Sequence, residues 1–337
     1  EIPLRLVGSE MCIRDSMKSV YREARWAKLQ EKKEAGELVS YDFIGKQGEV
    51  SYRFIKKQAG FIADVQYYDI SSYRGTGGPC IEWCNDGQEL ELMKSFTQDF
   101  QQYCKNNNII AEFAKLDPWA ANASVISEVL GAEFYGYFYC NDLTENFYEK
   151  AYNRRSKRAI KKAIDANVSV KFDFDGVTIP KFLELYQNTV DKFQVSAYYK
   201  FTAEELEEYF EVFKGVCFFS NAVKDGEIIT SVLSVMSEDI VHYLYLGSNP
   251  EFAHCQANSL LTYQTSLLGK QYGRKLIDMG GGKKGGNIEQ FKLNFVAENG
   301  VIPYYAIKKI HNQTIYDTMV QKAGAIINPV FFPLYRG

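Results

Sequence analysis

The sequence predicts a mixed α/β protein built from two similar units in tandem, each with a mixed, largely antiparallel sheet flanked by helices. Two observations predict this fold class. Apolar and polar residues alternate over short runs, as in strands, and elsewhere recur three and four residues apart, as in helices. Both halves also repeat one order: a hairpin, a third strand, a loop, a helix, a strand, a helix and a strand. With 337 residues, the chain is long enough for two domains, each with its own core.

The first half begins with a charged helix and then a hairpin. Leu38 to Ile44 and Val50 to Lys56 alternate around a turn at residues 46–48, and Ala63 to Ile70 supplies a third strand. A glycine-containing loop, residues 71–79, then leads into a helix whose apolar residues are spaced three and four apart.

The second half repeats this order around a turn at residues 225–226. Val216 to Val223 and Ile228 to Met236 form the hairpin, and Ile240 to Leu246 forms the third strand. The segments SYDFIGKQGEVSYRF and CFFSNAVKDGEIITS align around their turns. We therefore interpret the two halves as an internal duplication of one α/β unit.

The first sixteen residues, EIPLRLVGSEMCIRDS, differ in character from the rest of the chain. They lack an initiator Met, a signal-peptide start and a small-residue cleavage site, and they resemble translated sequencing-adapter read-through. We therefore treat 1–16 as a non-native segment with Met17 as the natural start. The predicted domains are 17–150 and 151–337, joined by a packed helix because no Pro/Gly/Ser-rich linker separates them.

Composition excludes several classes of protein. Hydrophobic content of 46% and aromatic content of 15% indicate a globular chain, and no apolar run of ~18 residues suggests a transmembrane helix. Six scattered cysteines remain after residue 16, without a C-x-x-C pair, and predict reduced thiols in a cytoplasmic protein. The three histidines lack metal-ligand spacing and no Gly-x-Ser-x-Gly motif is present, so neither a metal site nor a serine nucleophile is expected.

The run from His242 to Phe295 carries most of the chemistry. A strand from residue 242 to 246 is followed by an amphipathic helix, a short apolar strand ending near Asp278, a glycine turn and a new helix. Strict alternation places Tyr243 and Tyr245 on one face, which leaves open whether either faces a ligand or the core. The motif GGGKKGGN at 280–287 is no Walker loop; it is either a simple turn or a phosphate-contacting loop helped by Lys283 and Lys284.

A basic helix joins the two halves. Six cations lie within nine residues, from Arg154 to Lys162, while Ile160 and Ile164 keep one face apolar. The net charge of the chain is -3, so this cluster is a local positive field. It is either a solvated helix face or a surface for phosphates of a nucleotide or of RNA, and for the second case we assign Arg154, Arg155, Arg158 and Lys283 to phosphate contact.

The element order of the second half is that of the GNAT acyltransferase fold, and the chain as a whole resembles the FemABX-like aminoacyltransferases and related GNAT N-acyltransferases. The resemblance lies in the order and spacing of six segments rather than in any one of them: SYRGTGGP (72–79), NRRSKRAIKKAIDANVSV (153–170), AYYKF (197–201), LYLGSNPEFAHCQANSLL (244–261), LIDMGGG (276–282) and FKLNF (291–295). Members of this family transfer an aminoacyl or acyl group from an activated donor to an amine of a cell-envelope precursor.

The resemblance implies roles for individual residues. The Phe-Lys pair of the family matches Phe291 and Lys292, and the lysine is expected to stabilise the charge that develops when an amine attacks an ester. The remaining matched positions are expected to contact substrate: Tyr243, Tyr245, Tyr198, Tyr199, Asp278, Tyr73 and Arg74. Where some members carry an acceptor-contacting lysine shortly after an early tryptophan, this chain has Leu29 after Trp26, which leaves the acceptor open.

The predicted donor follows from the loop after the strand 240–246. Residues 249–257 contain no glycine, unlike the pyrophosphate cradle of GNAT enzymes that use acetyl-CoA, so a standard CoA cradle is not expected. Of the donors that the resemblance implies, aminoacyl-tRNA is therefore favoured over acyl-CoA. Two alternatives stay open: an acyl-CoA-dependent enzyme acting on an amino sugar in surface polysaccharide biosynthesis, and a degenerate, non-catalytic GNAT binding module. No bound cofactor and no DNA partner are expected; the acceptor would be a nucleotide- or lipid-linked precursor, compatible with peripheral membrane contact.

Overall fold

A computed structural model describes residues 17–120, 123–193, 197–282, 284–324, 328 and 331–337. The described chain is mixed α/β, as predicted, and it divides into two compact units. One unit, here called unit 1, comprises Tyr21–Tyr135 and Pro303–Gly337. The other, unit 2, comprises Lys18–Val20 and Gly136–Ile302.

The described strands follow one another in this order: β1 Glu37–Ile44, β2 Gly48–Ile62, β3 Val65–Ser71, β4 Cys80–Cys84, β5 Ile109–Lys115, β6 Glu133–Asp142, β7 Ser169–Asp173, β8 Cys217–Lys224, β9 Glu227–Met236, β10 Ile240–Ser248, β11 Leu276–Gly281 and β12 Val301–Ile310. The described α-helices are α1 Ala24–Glu31, α2 Glu89–Asn106, α3 Ala123–Leu130, α4 Phe147–Lys150, α5 Arg154–Asp165, α6 Ile179–Phe193, α7 Ala203–Val212, α8 Ala257–Gln271, α9 Asn287–Lys292 and α10 Gln313–Ala323.

The same strand pattern occurs in both units. In unit 1 the order is β1-β2-β3-β5-β12, with β4 on β2, and in unit 2 it is β6-β11-β10-β9-β8-β7. Each unit contains a single parallel pair among its described strands, β3 with β5 and β10 with β11, and in each the paired strands are separated by a long helix. This agrees with the predicted mixed, largely antiparallel sheets and with an internal duplication.

The compact units divide the sequence differently from the predicted boundary at 150/151. Strand β12, near the C-terminal end, groups with unit 1 because Ala306–Ile310 forms an antiparallel ladder with β5. Most of β6, which lies before residue 150, groups with unit 2 because it pairs with β11. Backbone hydrogen bonding, which the sequence pattern does not specify, assigns each of these strands to the unit formed mainly by the other half.

Helices cover both faces of the unit 2 sheet. Phe218 packs in one core with residues of α5 and α8, whereas its neighbour Phe219 contacts Phe182 of α6, with ring centroids 4.8 Å apart. Helix α6 approaches β10 closely at Gly247, where an added Cβ would lie 2.5 Å from the backbone nitrogen of Tyr186. The absence of a side chain at Gly247 therefore allows this helix to pack against the strand.

Candidate active site

The candidate site lies in unit 2, where strands β10 and β11 separate. Their parallel pairing runs from Ile240 opposite Leu276 to His242 opposite Asp278. Beyond these residues β10 continues along β9, and β11 continues along β6 with an irregularity between Asp278 and Gly281. This separation gives the backbone of Gly280 and Gly281 room to contact side chains from α9.

Asp278 and His242 form a buried pair at the point of separation. His242 Nδ1 lies 3.2 Å from Asp278 Oδ2, and both side chains are at most 1% exposed. The backbone N–H of Val20 donates to His242 Nε2 at 3.2 Å, so that nitrogen must carry a lone pair. His242 is therefore neutral with its proton on Nδ1, and it donates to the Asp278 carboxylate.

The other Asp278 oxygen fixes the glycine turn. Asp278 Oδ1 accepts a hydrogen bond from the backbone N–H of Gly280 at 2.7 Å. Gly280 has a φ of 71°, and a Cβ at this position would lie 3.7 Å from Nζ of Lys292. The turn thus uses glycine for its left-handed conformation and brings backbone close to the lysine.

Lys292, at the end of α9, is held against this turn. Its Nζ donates to the carbonyl oxygen of Gly281 at 2.5 Å and lies 5.9 Å from the centre of the Tyr139 ring. Burial lowers the pKa of Lys292 to about 8, and the Asp278 carboxylate opposes that shift. At neutral pH most of Lys292 is therefore still cationic, and two of its three donors are free of the Gly281 bond.

Glu289 holds the glycine loop, residues 280–286, at a second point. Its Oε1 accepts from the Tyr139 hydroxyl at 2.6 Å, and its Oε2 accepts from the backbone N–H of Gly285. The hydrogen bond from Tyr139 is the main reason why the pKa of Glu289 lies below its ordinary value. Glu289 and Lys292 are three residues apart on α9, so one short helix holds two points of the glycine loop.

Helix α5 is tied to the end of α9 through a pair of asparagines. The Asn153 side chain donates to Asn294 Oδ1 at 3.0 Å, while Asn153 Oδ1 caps α5 by accepting from the N–H groups of Arg155 and Ser156. The first turn of the basic helix is therefore fixed beside Phe291.

A pocket of about 300 Å³ opens at this junction within unit 2. Arg155 of α5, Gln256 and Ser259 at the start of α8, and Phe291 line it, together with the amides of α9 and Asn294. Two predicted site residues, Phe291 and Arg155, thus line one pocket. Lys292 follows Phe291 in the chain. Such a mixture of aromatic, amide and cationic groups suits a polar, phosphate-bearing ligand.

The expectation that Tyr243 and Tyr245 share a face is wrong. A β-bulge interrupts the ladder between them, because Tyr243 pairs with Ser234 and Tyr245 with Leu233. Tyr243 packs on the same core as Phe291, whereas Tyr245 packs on Phe201 with ring centroids 4.8 Å apart. An extra residue in a strand reverses the side-chain alternation that follows it.

Tyr243 is the tyrosine of this pair that lies on the site's side of the sheet. Its hydroxyl is buried and forms no hydrogen bond of normal geometry within the described part of the chain. Thr262 is near enough to affect it, but burial dominates and raises the pKa of Tyr243 well above its usual value. The group is therefore a neutral phenol.

Tyr198 and Tyr199 lie apart from Lys292, with Tyr245. They form a short 3₁₀ turn, and the Tyr186 hydroxyl donates to the carbonyl oxygen of Tyr199 at 3.1 Å. Tyr186 also contacts Tyr245, with ring centroids 6.0 Å apart. These residues form an aromatic group on the α6 face, and their role in substrate contact stays a prediction.

Three other predicted contact residues are buried. Asp278 is 1% exposed and already holds His242 and Gly280, so it positions the turn rather than facing a substrate. In unit 1, the Tyr73 hydroxyl donates to the carbonyl oxygen of Tyr21, and Arg74 is 4% exposed. For a substrate to contact the side chain of Tyr73 or of Arg74, that side chain would have to leave its buried position.

The predicted phosphate contacts differ in location. Arg154, Arg155 and Arg158 are exposed on α5, and no carboxylate lies within 4.0 Å of any of the three among the described residues. Lys283 lies outside the described residues. The free cations of α5 remain available to an anion.

Sequence reasoning missed Tyr139, Glu289 and the role of His242. The only signal for Glu289 was its spacing of three residues from Lys292, which places both on one side of a helix. Tyr139 lies on β6, about 150 residues earlier in the chain, and no local pattern connects it to α9.

Comparison with known families agrees with this fold. Residues 150–293 match the family described as acetyltransferase (GNAT) domain, a segment that includes the site but covers less than half of the chain. The comparison with curated proteins gave no match.

Similar solved structures extend over nearly the whole chain. FemX has a TM-score of 0.64 at 14% identity, covering 89% of this chain and 94% of its own. The C-terminal domain of a proposed lysylphosphatidylglycerol synthetase from Agrobacterium fabrum has a TM-score of 0.54 at 11% identity, covering 91% and 92%. A conserved protein of unknown function from Bacteroides thetaiotaomicron has a TM-score of 0.53 at 10% identity, covering 89% and 96%.

The chain thus contains an acetyltransferase (GNAT) domain at residues 150–293, which makes it an acyltransferase. The expected resemblance to FemABX-like acyltransferases is confirmed, and the tandem GNAT-like fold is that of FemX. Among the described helices, none combines the length and apolar character needed to cross a bilayer.

Proposed function

We propose that this protein is an N-acyltransferase that moves an aminoacyl group from aminoacyl-tRNA to an amine of a cell-envelope precursor in the cytoplasm. The observation that supports it most is the position of Lys292, a cation held at the separated strands and next in sequence to a pocket residue. The position of the Phe291-Lys292 pair supports a role in acyl transfer.

The proposed reaction is a direct displacement. The neutral amine nitrogen attacks the acyl carbonyl carbon, a C–N bond forms, and the carbonyl electrons move to oxygen. Lys292 stabilises that oxyanion with the donors not used by Gly281. The intermediate then breaks its C–O bond to the ribose of the tRNA, and the proton lost by the amine passes to the leaving oxygen through solvent.

The basic face of α5 favours RNA as the donor. Twelve residues of helix extend ~18 Å, and they carry five exposed cations, Arg154, Arg155, Arg158, Lys161 and Lys162. Among these five cations, only Arg155 lines the pocket. A positive surface that continues past a pocket suits a polymer of phosphates better than a compact donor.

Charge removal on α5 gives a direct prediction. Replacing Arg154, Arg158 and Lys161 with glutamine should reduce the slope of log K against log salt concentration by about 2 to 3 for binding of a charged tRNA. A control with Lys171, Lys200 and Lys214 replaced removes the same charge from other exposed positions of unit 2. Equal slopes in the two variants would contradict an α5 binding face; fluorescence anisotropy at several salt concentrations measures them.

A second candidate uses acyl-CoA to acylate an amino sugar of a surface polysaccharide. Its support is the start of α8, where Gln256 adopts a left-handed conformation and its side chain does not cap the helix. The N-terminal amides of a 15-residue helix next to the pocket suit a pyrophosphate.

Product analysis separates the two donors. The purified chain is incubated with aminoacyl-tRNA or with acetyl-CoA, each with a lysine-containing nucleotide-linked peptide or with glucosamine, and products are identified by mass spectrometry. We expect amide formation with the charged tRNA. Transfer from acetyl-CoA alone would replace the leading donor with the second candidate, and no transfer from either would reject the proposed function.

A further inference from the structure

Unit 1 contains a second cavity, of about 480 Å³, which the proposed reaction does not use. It lies where the C-terminal end of α2, the start of β5 and the end of β12 meet. Its lining includes Cys104, Lys105, Asn108, Lys309 and His311. Its volume is within the range of small-molecule sites.

A buried polar network forms the base of this cavity. His311 Nε2 lies 3.0 Å from Glu112 Oε2, and each side chain is 4% exposed. The Tyr52 hydroxyl donates to the other Glu112 oxygen at 2.9 Å. Since polar groups are costly to bury without partners, these hydrogen bonds hold His311 in a fixed position at the edge of the cavity.

His311 is oriented so that one ring nitrogen is occupied. Nε2 contacts Glu112, and Cys104 Sγ lies 3.7 Å from the same atom, so Nδ1 takes part in neither contact. Both partners use one nitrogen, so the three residues are not arranged as a nucleophile, base and orienting acid. Burial also raises the pKa of Cys104, which keeps the thiol protonated.

The charged groups left at the cavity surface are the ammonium donors of Lys105 and Lys309. No carboxylate lies within 4.0 Å of Lys105 or Lys309 in the described part of the chain, and the lining contains no acidic residue. The nearby backbone carbonyls are already used: that of Asn108 accepts from Tyr68 N at 3.0 Å, and that of Ile110 accepts from His311 N at 2.9 Å. An anion would satisfy these donors.

We propose that this cavity binds a small molecule through a phosphate or carboxylate group, with the ammonium groups of Lys105 and Lys309 supplying charge and hydrogen bonds beside His311. Such charge-assisted contacts are the stronger kind of hydrogen bond. The site would be separate from Lys292, so binding there is independent of whether the proposed acyl donor is correct.

Calorimetric titration of the full chain at constant ionic strength tests the site, with inorganic phosphate in one arm and succinate in the other. We expect saturable binding of at least one anion, weakened tenfold or more in the Lys105→Met/Lys309→Met variant. The Lys94→Met/Lys308→Met variant removes two lysines from the same helix and strand, outside the cavity lining, and should bind like the wild type. No saturable binding, or equal weakening in both variants, would overturn the proposal.

Nitrogen NMR of the histidine rings provides a second test. The chain has three histidines, so their signals can be assigned by single substitution. Adding the bound anion should shift Nδ1 of His311 in the wild type and in the Lys94/Lys308 variant. A bound anion that leaves the His311 signals unchanged would lie outside this cavity and would overturn the proposal.

Discussion

Replacing Lys292 with methionine should lower the rate of acyl transfer by about 10² or more, equivalent to ~3 kcal/mol of transition-state stabilisation, as for loss of one oxyanion donor. The reason is that Nζ is the cation held at the separated strands, and methionine keeps most of the side-chain volume without charge. Because the change removes a partly buried ammonium group, the fold should be retained. Single-turnover transfer with saturating donor measures the effect.

Two further variants test whether the lower transfer rate results specifically from loss of the cation at residue 292. Lys292→Arg retains a cation and should keep more activity than Lys292→Met. Lys214→Met removes an exposed lysine elsewhere in unit 2 and should behave like the wild type. If Lys292→Met transfers at a near-normal rate, Lys292 has no role in the chemical step.

Replacing Asp278 with alanine should destabilise unit 2 by about 2–6 kcal/mol, because it leaves two buried donors unsatisfied at a cost of about 1–3 kcal/mol each. The change leaves the Nδ1–H of His242 and the N–H of Gly280 without their acceptors. It also removes the carboxylate that keeps the pKa of Lys292 from falling further, so less of the lysine stays cationic at neutral pH. Urea denaturation followed by circular dichroism measures the stability.

Asp278→Asn is the matched control for this prediction. The amide can still accept from Gly280 but cannot satisfy the Nδ1–H of His242 with the same geometry, so an intermediate loss of about 1–2 kcal/mol is expected. An alanine variant as stable as the wild type would contradict the assignment of Asp278 as the residue that fixes the turn.

Much of the fold could be predicted because its signals are local. Alternation identified the strands of both hairpins, and the repeated order predicted two similar units. The helix after the glycine turn was expected from FKLNF, and the structure has α9 there, with Phe291 on a pocket and Lys292 at the turn. These features depend on residues near one another in the sequence.

The remaining features depend on contacts between distant residues. The bulge between Tyr243 and Tyr245 arises from the register of β10 on β9, and strict alternation contains no sign of it. The assignment of β12 to unit 1 depends on its ladder with β5, nearly 200 residues earlier. Burial of Asp278 against His242 likewise becomes visible only when two strands are placed side by side.

The pH dependence of single-turnover transfer tests the cationic role of Lys292 most directly. A lysine with a pKa of about 8 could act as a cation or as a base. A cationic role needs the protonated form of Lys292, so the ratio of the wild-type rate to the Lys292→Arg rate should fall as pH rises through about 8. The arginine stays protonated, and deprotonation of the acceptor amine affects both enzymes alike, so the ratio reports Lys292 alone. A wild-type rate that rises through pH 8 with a slope lost in Lys292→Arg would show that Lys292 removes a proton, and would contradict oxyanion stabilisation.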